Sequence, residues 1–126
     1  MEGRIFGIET EYGCLTTGID SNLNPEQISQ KVKDHIFLSQ KYGILDMHYL
    51  GRDEPPGNGG FLFNGGRLYM DLGHVEYATP ECTGLFDLVA LDQAGDLLVQ
   101  TALDHIDPTA DTSFIKNNVD HYTGAT

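Results

Sequence analysis

Six side chains capable of metal or phosphate chemistry lie within three short, otherwise apolar segments of the chain. They are Glu9, Glu11, Arg67, Tyr69, Asp71 and Glu76. Carboxylate oxygens are the ligands that hard divalent cations prefer, and an arginine can pair with phosphate through two parallel hydrogen bonds. For any one of these residues, a place on the solvent face of a strand is the simpler explanation. Taken together, several carboxylates with one arginine indicate a site for a magnesium-bound nucleotide.

Alternating patterns predict the strands that must position these side chains. A first strand over 4–12 has its apolar residues on one face and both glutamates on the other, because strand side chains alternate with a period of two. A strand over 67–72 places the arginine, the tyrosine and the aspartate on a single face, and a strand over 75–78 carries the third glutamate. A curved sheet would point all of these polar residues at a common centre.

The rest of the pattern predicts two helices. A helix capped by Asn24 begins at Pro25, carries apolar residues at helical spacing and stops near Gly43. A second helix, capped by Thr83, spans 85–105. These helices supply the apolar surface that one face of a sheet needs in order to be buried.

Two further strands complete the order of elements. One covers 61–63 and is joined to the strand over 67–72 by the turn Asn64-Gly65-Gly66, since Asn-Gly is a strong hairpin signal. The other lies around Phe114 and Ile115. The order is β, α, β-hairpin, β, α, β. It predicts an α+β fold with a mainly antiparallel, curved sheet and helices packed on one face.

The composition limits the classes of protein that this chain can represent. Its 126 residues, 40% of them hydrophobic, suffice for one domain with a core. With 7 Lys and Arg against 19 Asp and Glu, the formal net charge is -12. That charge argues against unaided binding to nucleic acid and suits divalent cations. Two cysteines are too few for a disulfide framework, and no apolar run approaches membrane-spanning length, so the expected location is the cytoplasm.

Three motifs carry a family resemblance: GIETEYG over 7–13, NGGRLYMDLGHVEYATPEC over 64–82 and KNNVD over 116–120. In this order they resemble the Pup ligase and Pup deamidase/depupylase family, which is related to the glutamine synthetase-type carboxylate–amine ligases. Two positions depart from the family pattern. Gly66 stands where the family's NGARLY motif has alanine, and Val75 stands where a proline usually precedes the glutamate.

The resemblance implies a glutamine synthetase-like catalytic domain of which residues 1–126 form the N-terminal, ATP- and magnesium-binding part. No predicted element closes the fold after residue 120, which also indicates a fragment of a longer protein. The rest of the catalytic domain and a C-terminal domain are then expected beyond this sequence, and the chain alone is expected to be inactive.

The resemblance also implies which residues hold magnesium. Glu9 and Glu76 correspond to Mg²⁺ ligands, and Tyr69 lines the metal site. Glu11, which shares a strand face with Glu9, is a weaker candidate ligand.

Nucleotide contacts and catalysis are assigned in the same way. Arg67 corresponds to a contact with the ATP phosphates, and Thr79 to a further nucleotide contact. Asp71 corresponds to the catalytic base. The implied cofactors are therefore ATP and Mg²⁺, and the implied partners are Pup, a small disordered modifier, and the lysines of target proteins.

In the implied ligase reaction, ATP phosphorylates the side-chain carboxylate of the C-terminal glutamate of Pup. A target lysine then attacks the acyl phosphate, after Asp71 has taken the proton that an ammonium with pKa about 10.4 carries near neutral pH. In the deamidase branch the same aspartate would attack the side-chain amide or activate water for that attack.

Several alternatives stay open at the level of sequence. GIETE, LYMDLG and EYAT favour the ligase, whereas the PEC sequence over 80–82 favours the deamidase/depupylase. A diverged member that acts on another small modifier, or a truncated relative that only binds protein, would keep the same strands. An acidic calcium-binding module is disfavoured because no Asp-x-Asp-x-Asp-Gly loop occurs. His74 is predicted to be a structural hydrogen-bonding residue near the site.

Overall fold

The computed structural model describes residues 3–17, 23–49, 54–109 and 111–116. Within these ranges the strands and helices follow one another in a single order. They are β1 (Glu9–Thr16), α1 (Pro25–Asp34), a π-helical turn (His35–Ser39), β2 (Gly43–Leu45), β3 (Gly59–Leu62), β4 (Arg67–Asp71), β5 (His74–Ala78), α2 (Leu85–Ile106) and β6 (Thr112–Ile115). None of the helices in this described part has the length and apolar character needed to cross a membrane.

The strands form one antiparallel sheet in the order β2-β3-β4-β5-β1-β6. The first half of β1 pairs with β5 and its second half pairs with β6. Both helices pack on the same side: α1 contacts β1, β4 and β5, and α2 contacts α1 and β6. The predicted α+β class, with an antiparallel sheet and helices on one face, is confirmed.

The core lies between the helices and the sheet. Leu68, Val75 and Tyr77 of the sheet are fully buried, and they meet Val32 and Leu103 of the two helices in one hydrophobic cluster. Burying an aliphatic side chain of this size stabilises the fold by roughly 1.5–3 kcal/mol. Since side chains alternate along a strand, the residues between these core positions must face away from the helices.

Helix α1 begins as predicted. The side chain of Asn24 accepts a hydrogen bond from Gln27 N at 2.8 Å. The side chain of Gln27 in turn accepts a hydrogen bond from Asn24 N at 3.0 Å. This reciprocal capping box satisfies two backbone donors that the first helical turn leaves unpaired. Pro25 occupies the first helical position, where its missing N–H costs nothing.

The first strand was predicted wrongly at both ends, since β1 begins at Glu9 and continues to Thr16. Phe6 makes only an isolated bridge with Cys82. The N–H of Ile8 is taken by the hydroxyl oxygen of Thr79 at 3.0 Å instead of a carbonyl, so the regular ladder starts after Ile8.

Two predicted helix boundaries were also wrong. The first helix does not stop at Gly43: it ends at Asp34 and passes through the π-helical turn, and Gly43 opens a strand that the pattern did not predict. A Cβ at Gly43 would lie 2.8 Å from Phe37 Cε1 and 2.9 Å from Leu62 Cα, so this glycine permits close pairing with β3. Thr83 does not cap α2, because the helix begins at Leu85 with Gly84 as its N-cap.

The turn between β4 and β5 fixes the register of the central hairpin. It consists of Leu72, with φ 44°, and Gly73, with φ 94°. Two central residues with positive φ are typical of the tight hairpin turn whose twist matches the flanking strands. As a result Asp71 stands directly opposite His74.

Candidate active site

The polar residues singled out in the sequence lie in cross-strand rows on one face of the sheet. In the first row, Arg67 is opposite Ala78, which is opposite Glu9. In the second row, Tyr69 is opposite Glu76, which is opposite Glu11. This face is the one turned away from the helices, because the alternate residues Leu68, Val75 and Tyr77 fill the core.

The rows run along the strands in a chemically ordered sequence. Arg67 opens β4, Tyr69 and Glu76 form the middle row, and Asp71 with His74 forms the third. At about 3.4 Å per residue, the backbone positions of Arg67 and Asp71 are separated by about 14 Å. The face therefore presents Arg67 and Glu9 in the first row, Glu76 and Glu11 in the middle row, and Asp71 opposite His74 in the last row.

The hydroxyl of Tyr69 donates a hydrogen bond to Glu9 Oε1 at 2.9 Å. Burial and the neighbouring carboxylates of Glu76 and Glu9 raise the pKa of Tyr69, so its hydroxyl keeps the single proton that it donates to Glu9. Tyr69 lies opposite Glu76, so this hydrogen bond directs the carboxylate of Glu9 toward the row that contains Glu76.

Burial raises the pKa of Glu76, and the negative charges of Glu9, Asp71 and Glu11 raise it further, while the hydrogen bond with Tyr69 lowers it. The ionised carboxylates on this face therefore repel one another. A divalent cation between them would offset this repulsion, and it would favour the ionised form of Glu76.

The donor set suits a magnesium ion that also contacts phosphate. Mg²⁺ in nucleotide sites binds one or two carboxylates and keeps several waters. Glu9 and Glu76 offer those carboxylates. Among the described residues, no three Asp, Glu, His or Cys side chains are already arranged around a single point that could hold a metal ion. The fit is thus to a metal shared with a ligand and not to a closed protein cage.

Glu11 shares its carboxylate with a histidine. His74 Nδ1 lies 2.6 Å from Glu11 Oε1, and the His74 side chain is only 13% exposed. The predicted hydrogen-bonding role of His74 is therefore confirmed, and the contact lies on the site face itself. One oxygen of Glu11 is engaged in this way, which leaves the other for any metal contact.

Arg67 contacts a residue that the sequence did not indicate. Its NH2 group lies 3.2 Å from Glu54 Oε1, and its guanidinium carbon lies 4.3 Å from the centre of the Tyr69 ring. Glu54 belongs to the loop between β2 and β3. No periodicity or motif marked it, because its contact with Arg67 arises from the tertiary fold and not from the local sequence.

Thr79 lies beyond the end of β5, next to the start of β1. Its hydroxyl oxygen accepts the N–H of Ile8 at 3.0 Å, and its own N–H donates to Ile8 O at 2.9 Å. The hydroxyl proton is not used in these contacts and can donate to a ligand. Thr79 is therefore close to the row that contains Glu9, as a nucleotide contact would require.

Of the last motif, KNNVD, only Lys116 lies within the described ranges. Residues 117–120 lie outside the described ranges. Lys116 lies on the helix side, with its Nζ 3.1 Å from Asp92 Oδ2 and 2.9 Å from Asp96 Oδ2. It connects the end of β6 to α2.

Comparison with known proteins gives concordant matches in sequence and structure. A family model described as "Pup-ligase protein" matches residues 4–126. The chain is 40% identical to a Pup–protein ligase of Paenarthrobacter aurescens over 82% of its own length and 20% of that protein. It is 37% identical to a Pup–protein ligase of Geodermatophilus obscurus over 95% of its own length and 25% of that protein.

A solved structure agrees with these sequence matches. It is the complex between the prokaryotic ubiquitin-like protein Pup and its ligase PafA, and it superposes on the chain with a TM-score of 0.68 at 32% identity. The match covers 98% of this chain and 23% of that one. The chain therefore spans between a fifth and a quarter of the length of these relatives.

Proposed function

Because this chain belongs to the Pup-ligase family, we propose that it forms the metal- and nucleotide-binding part of the catalytic domain of an ATP-dependent Pup–protein ligase. The two relatives described above both carry the name of the ligase, which supports ligation over deamidation. The activity is proposed for the complete gene product that contains this sequence. Its substrates are Pup and lysines of target proteins, its cofactors are ATP and Mg²⁺, and its location is the cytoplasm, where ATP is available.

One observation carries the proposal: the order of the three rows on the open face of the sheet. A phosphate-binding cation, a row with two carboxylates and a candidate base follow one another across β4, β5 and β1, over about 14 Å. A triphosphate that contacts Arg67 would extend its terminal phosphate over the carboxylate row. The carboxylate to be activated would then lie between that row and Asp71.

In the proposed site, Glu9 and Glu76 hold magnesium, with Tyr69 orienting Glu9 and with Glu11 as an additional ligand through its free oxygen. Bound magnesium supplies charge neutralisation for the phosphate oxygens. Arg67 pairs with a phosphate through the guanidinium edge that Glu54 does not use. Thr79 donates its hydroxyl proton to the nucleotide.

Asp71 is proposed to act at the other end of the face. The lysine nucleophile arrives as an ammonium ion and must lose a proton before its nitrogen can bond to the acyl carbon. Asp71 is exposed on the open face, so its carboxylate can accept that proton directly. The new bond is an isopeptide bond between the glutamate side chain of Pup and the lysine, and phosphate is the leaving group.

The test uses the complete gene product with ATP, Mg²⁺ and Pup that ends in either glutamate or glutamine. Asp71→Asn is compared with wild type and with Asp104→Asn, which makes the same carboxylate-to-amide change on an exposed helix position. We expect conjugation of Pup-Glu to protein lysines by wild type and by the Asp104 variant, and its loss in the Asp71 variant.

Other outcomes have distinct meanings. Conversion of Pup-Gln to Pup-Glu without conjugation would replace the ligase by the deamidase. Equal conjugation by wild type and Asp71→Asn would remove Asp71 from the mechanism while leaving the ligase intact. If ATP with Mg²⁺ neither binds nor is consumed, the chain belongs to a family member that has kept the fold and lost the chemistry.

A further inference from the structure

The strand that carries Arg67 does not by itself fix the direction of the guanidinium group. It is the one Lys or Arg on the site face of the described strands, and Glu9, Glu76 and Asp71 lie on the same face. A flexible guanidinium in this setting is attracted to the nearest carboxylates. If it paired with them, it would occupy the same oxygens that a metal ion needs, and it would turn away from the phosphate.

A contact from outside the sheet holds Arg67 elsewhere. Glu54 Oε1 lies 3.2 Å from its NH2 group, and the guanidinium stacks over Tyr69 with 4.3 Å between its central carbon and the ring centre. Such stacking is favourable because the ring face is electron-rich. The two side chains of the ion pair are 30% and 38% exposed, so the contact is at the border of the site and not buried beneath it.

Hydrogen bonds of Gly57 and Asn58 hold the segment that follows Glu54 to α1, β2 and β4. Lys33 of α1, 3% exposed, donates to Gly57 O at 2.6 Å. Gly57 N donates to Asp46 O at 2.7 Å, at the end of β2. The side chain of Asn58 donates to Met70 O at 2.7 Å, while Met70 N donates to Asn58 O at 3.0 Å. The segment just after Glu54 is thus tied to α1, β2 and β4 together.

From this geometry we propose that Glu54 is a positioning residue for the nucleotide site. It holds Arg67 over the Tyr69 ring and away from the metal-binding carboxylates, so that Arg67 is ready for phosphate when metal and nucleotide arrive. The proposal rests on the function proposed above, because it takes Arg67 as the phosphate contact. It adds that the contact is set by a loop residue outside the family's strand motifs.

A simple electrostatic argument predicts the opposite effect of removing Glu54 on ATP affinity. A carboxylate beside a triphosphate repels it and competes for Arg67, so its removal would tighten nucleotide binding. The described contact uses one nitrogen of the guanidinium. An arginine has five N–H donors in a planar fork, so its remaining edge can bind phosphate without breaking the pair with Glu54.

The experiment measures the binding of ATP to the complete gene product by titration calorimetry at fixed Mg²⁺, and then the Mg²⁺ concentration that gives half-maximal binding. The variants are Glu54→Gln, Arg67→Ala and the double variant, with Asp104→Asn as the charge-matched control. Glu54→Asp, which keeps the charge on a shorter side chain, guards against a folding defect. Thermal unfolding is recorded for each variant.

We expect Glu54→Gln to weaken ATP binding about two- to fivefold, as fits a partly exposed ion pair. It should also raise the Mg²⁺ requirement, because the released Arg67 competes for the carboxylates. Arg67→Ala should weaken binding about tenfold or more, and Glu54→Gln should add nothing in that background. Glu54→Asp should lie between wild type and Glu54→Gln, and Asp104→Asn should match wild type.

Tighter ATP binding by Glu54→Gln, or an unchanged Mg²⁺ requirement, would overturn the positioning role and leave the proposed function in place. An equal effect of Glu54→Gln with and without Arg67 would overturn it as well, because Glu54 would then act by another route. If Arg67→Ala binds ATP as wild type does, both this inference and the assignment of Arg67 are wrong.

Discussion

Gly95 of α2 offers a sharp test of how the helix layer supports the site. A Cβ placed there would lie 2.8 Å from Cγ of Tyr77 and closer still to the ring edge. Carbon atoms in ordinary contact are about 3.5–4.0 Å apart, so Gly95→Ala requires the helix and the ring to separate by roughly 1 Å or more.

Tyr77 cannot easily move aside. Its side chain is fully buried, and its hydroxyl accepts a hydrogen bond from Asn64 Nδ2 at 3.1 Å. On its other side, a Cβ at Gly66 would lie 2.8 Å from Tyr77 Cε2, which shows that the ring already fills the space. The strain would therefore pass to β5, where Tyr77 is the neighbour of Glu76.

Two effects of opposite sign decide how much Gly95→Ala changes the free energy of unfolding. Glycine to alanine inside a helix normally stabilises by about 1 kcal/mol. Overpacking of a closed core costs about 1–3 kcal/mol, and more when neighbours cannot relax. We expect the second effect to win, with a net loss of about 1–2 kcal/mol for Gly95→Ala.

The assay is urea unfolding of the complete gene product, followed by circular dichroism. Thr101→Ala, an exposed position of the same helix, serves as the control for helix propensity and should be neutral or slightly stabilising. In a Tyr77→Leu background the ring is gone, so Gly95→Ala should recover its propensity gain. If Gly95→Ala stabilises the wild-type background by the full propensity amount, α2 does not pack on β5 as described.

Three further substitutions test the site and its supports. Since burial and the neighbouring charges raise the pKa of Glu76 in the folded state, its ionised form destabilises the fold near neutral pH, and this penalty is lost as the pH falls from that raised pKa to below the ordinary pKa of a glutamate. Glu76→Gln should thus stabilise the Mg²⁺-free protein near neutral pH but not in acid, and it should abolish stabilisation by Mg²⁺. Thermal unfolding measured against pH, with and without Mg²⁺, checks both expectations. An equal gain in stability at all pH values would contradict the charge argument. Asn24→Ala removes the capping box and should cost about 1 kcal/mol of unfolding free energy in urea, whereas Asn24→Ser should restore most of it. Thr79→Val leaves the N–H of Ile8 without its acceptor, so it should lower the free energy of unfolding by about 1–3 kcal/mol and weaken ATP binding. Thr79→Ser should keep both stability and ATP affinity. Wild-type stability of the valine variant would refute the role of this hydroxyl.

Alternation along the chain was sufficient to predict which side chains share the open face. Glu9 and Glu11, and likewise Arg67, Tyr69 and Asp71, lie on the same face as predicted, because a period of two is a property of any strand. The family resemblance, and not the alternation, supplied their individual roles, and those roles stay predictions. The cap at Asn24 was also predicted, because a capping side chain contacts backbone only a few positions away; the reciprocal contact with Gln27 was not part of that prediction.

What the sequence could not predict depends on contacts between distant segments. Strand β2 has only three residues, and it exists because β3 offers a partner with glycines that allow close approach. Strand β1 starts late because a side chain of a remote segment, Thr79, takes the place of a strand carbonyl. Glu54 and Arg67, 13 positions apart in the sequence, meet only in the tertiary fold. None of these contacts has a local signal.

Pairing register, more than any single side chain, holds the site together. The core and site residues alternate on β4 and β5, so a slip by one residue would turn Leu68 and Met70 to the open face and turn Tyr69 toward the helices. The two-residue turn at Leu72 and Gly73 resists that slip, because it accepts only one alignment of the strands that it joins. Leu72 adopts a positive φ there although it is 80% exposed and gains little from burial. Leu72 therefore contributes little to the core. Its strained backbone, next to Asp71, is explained by the β4–β5 register that the turn enforces.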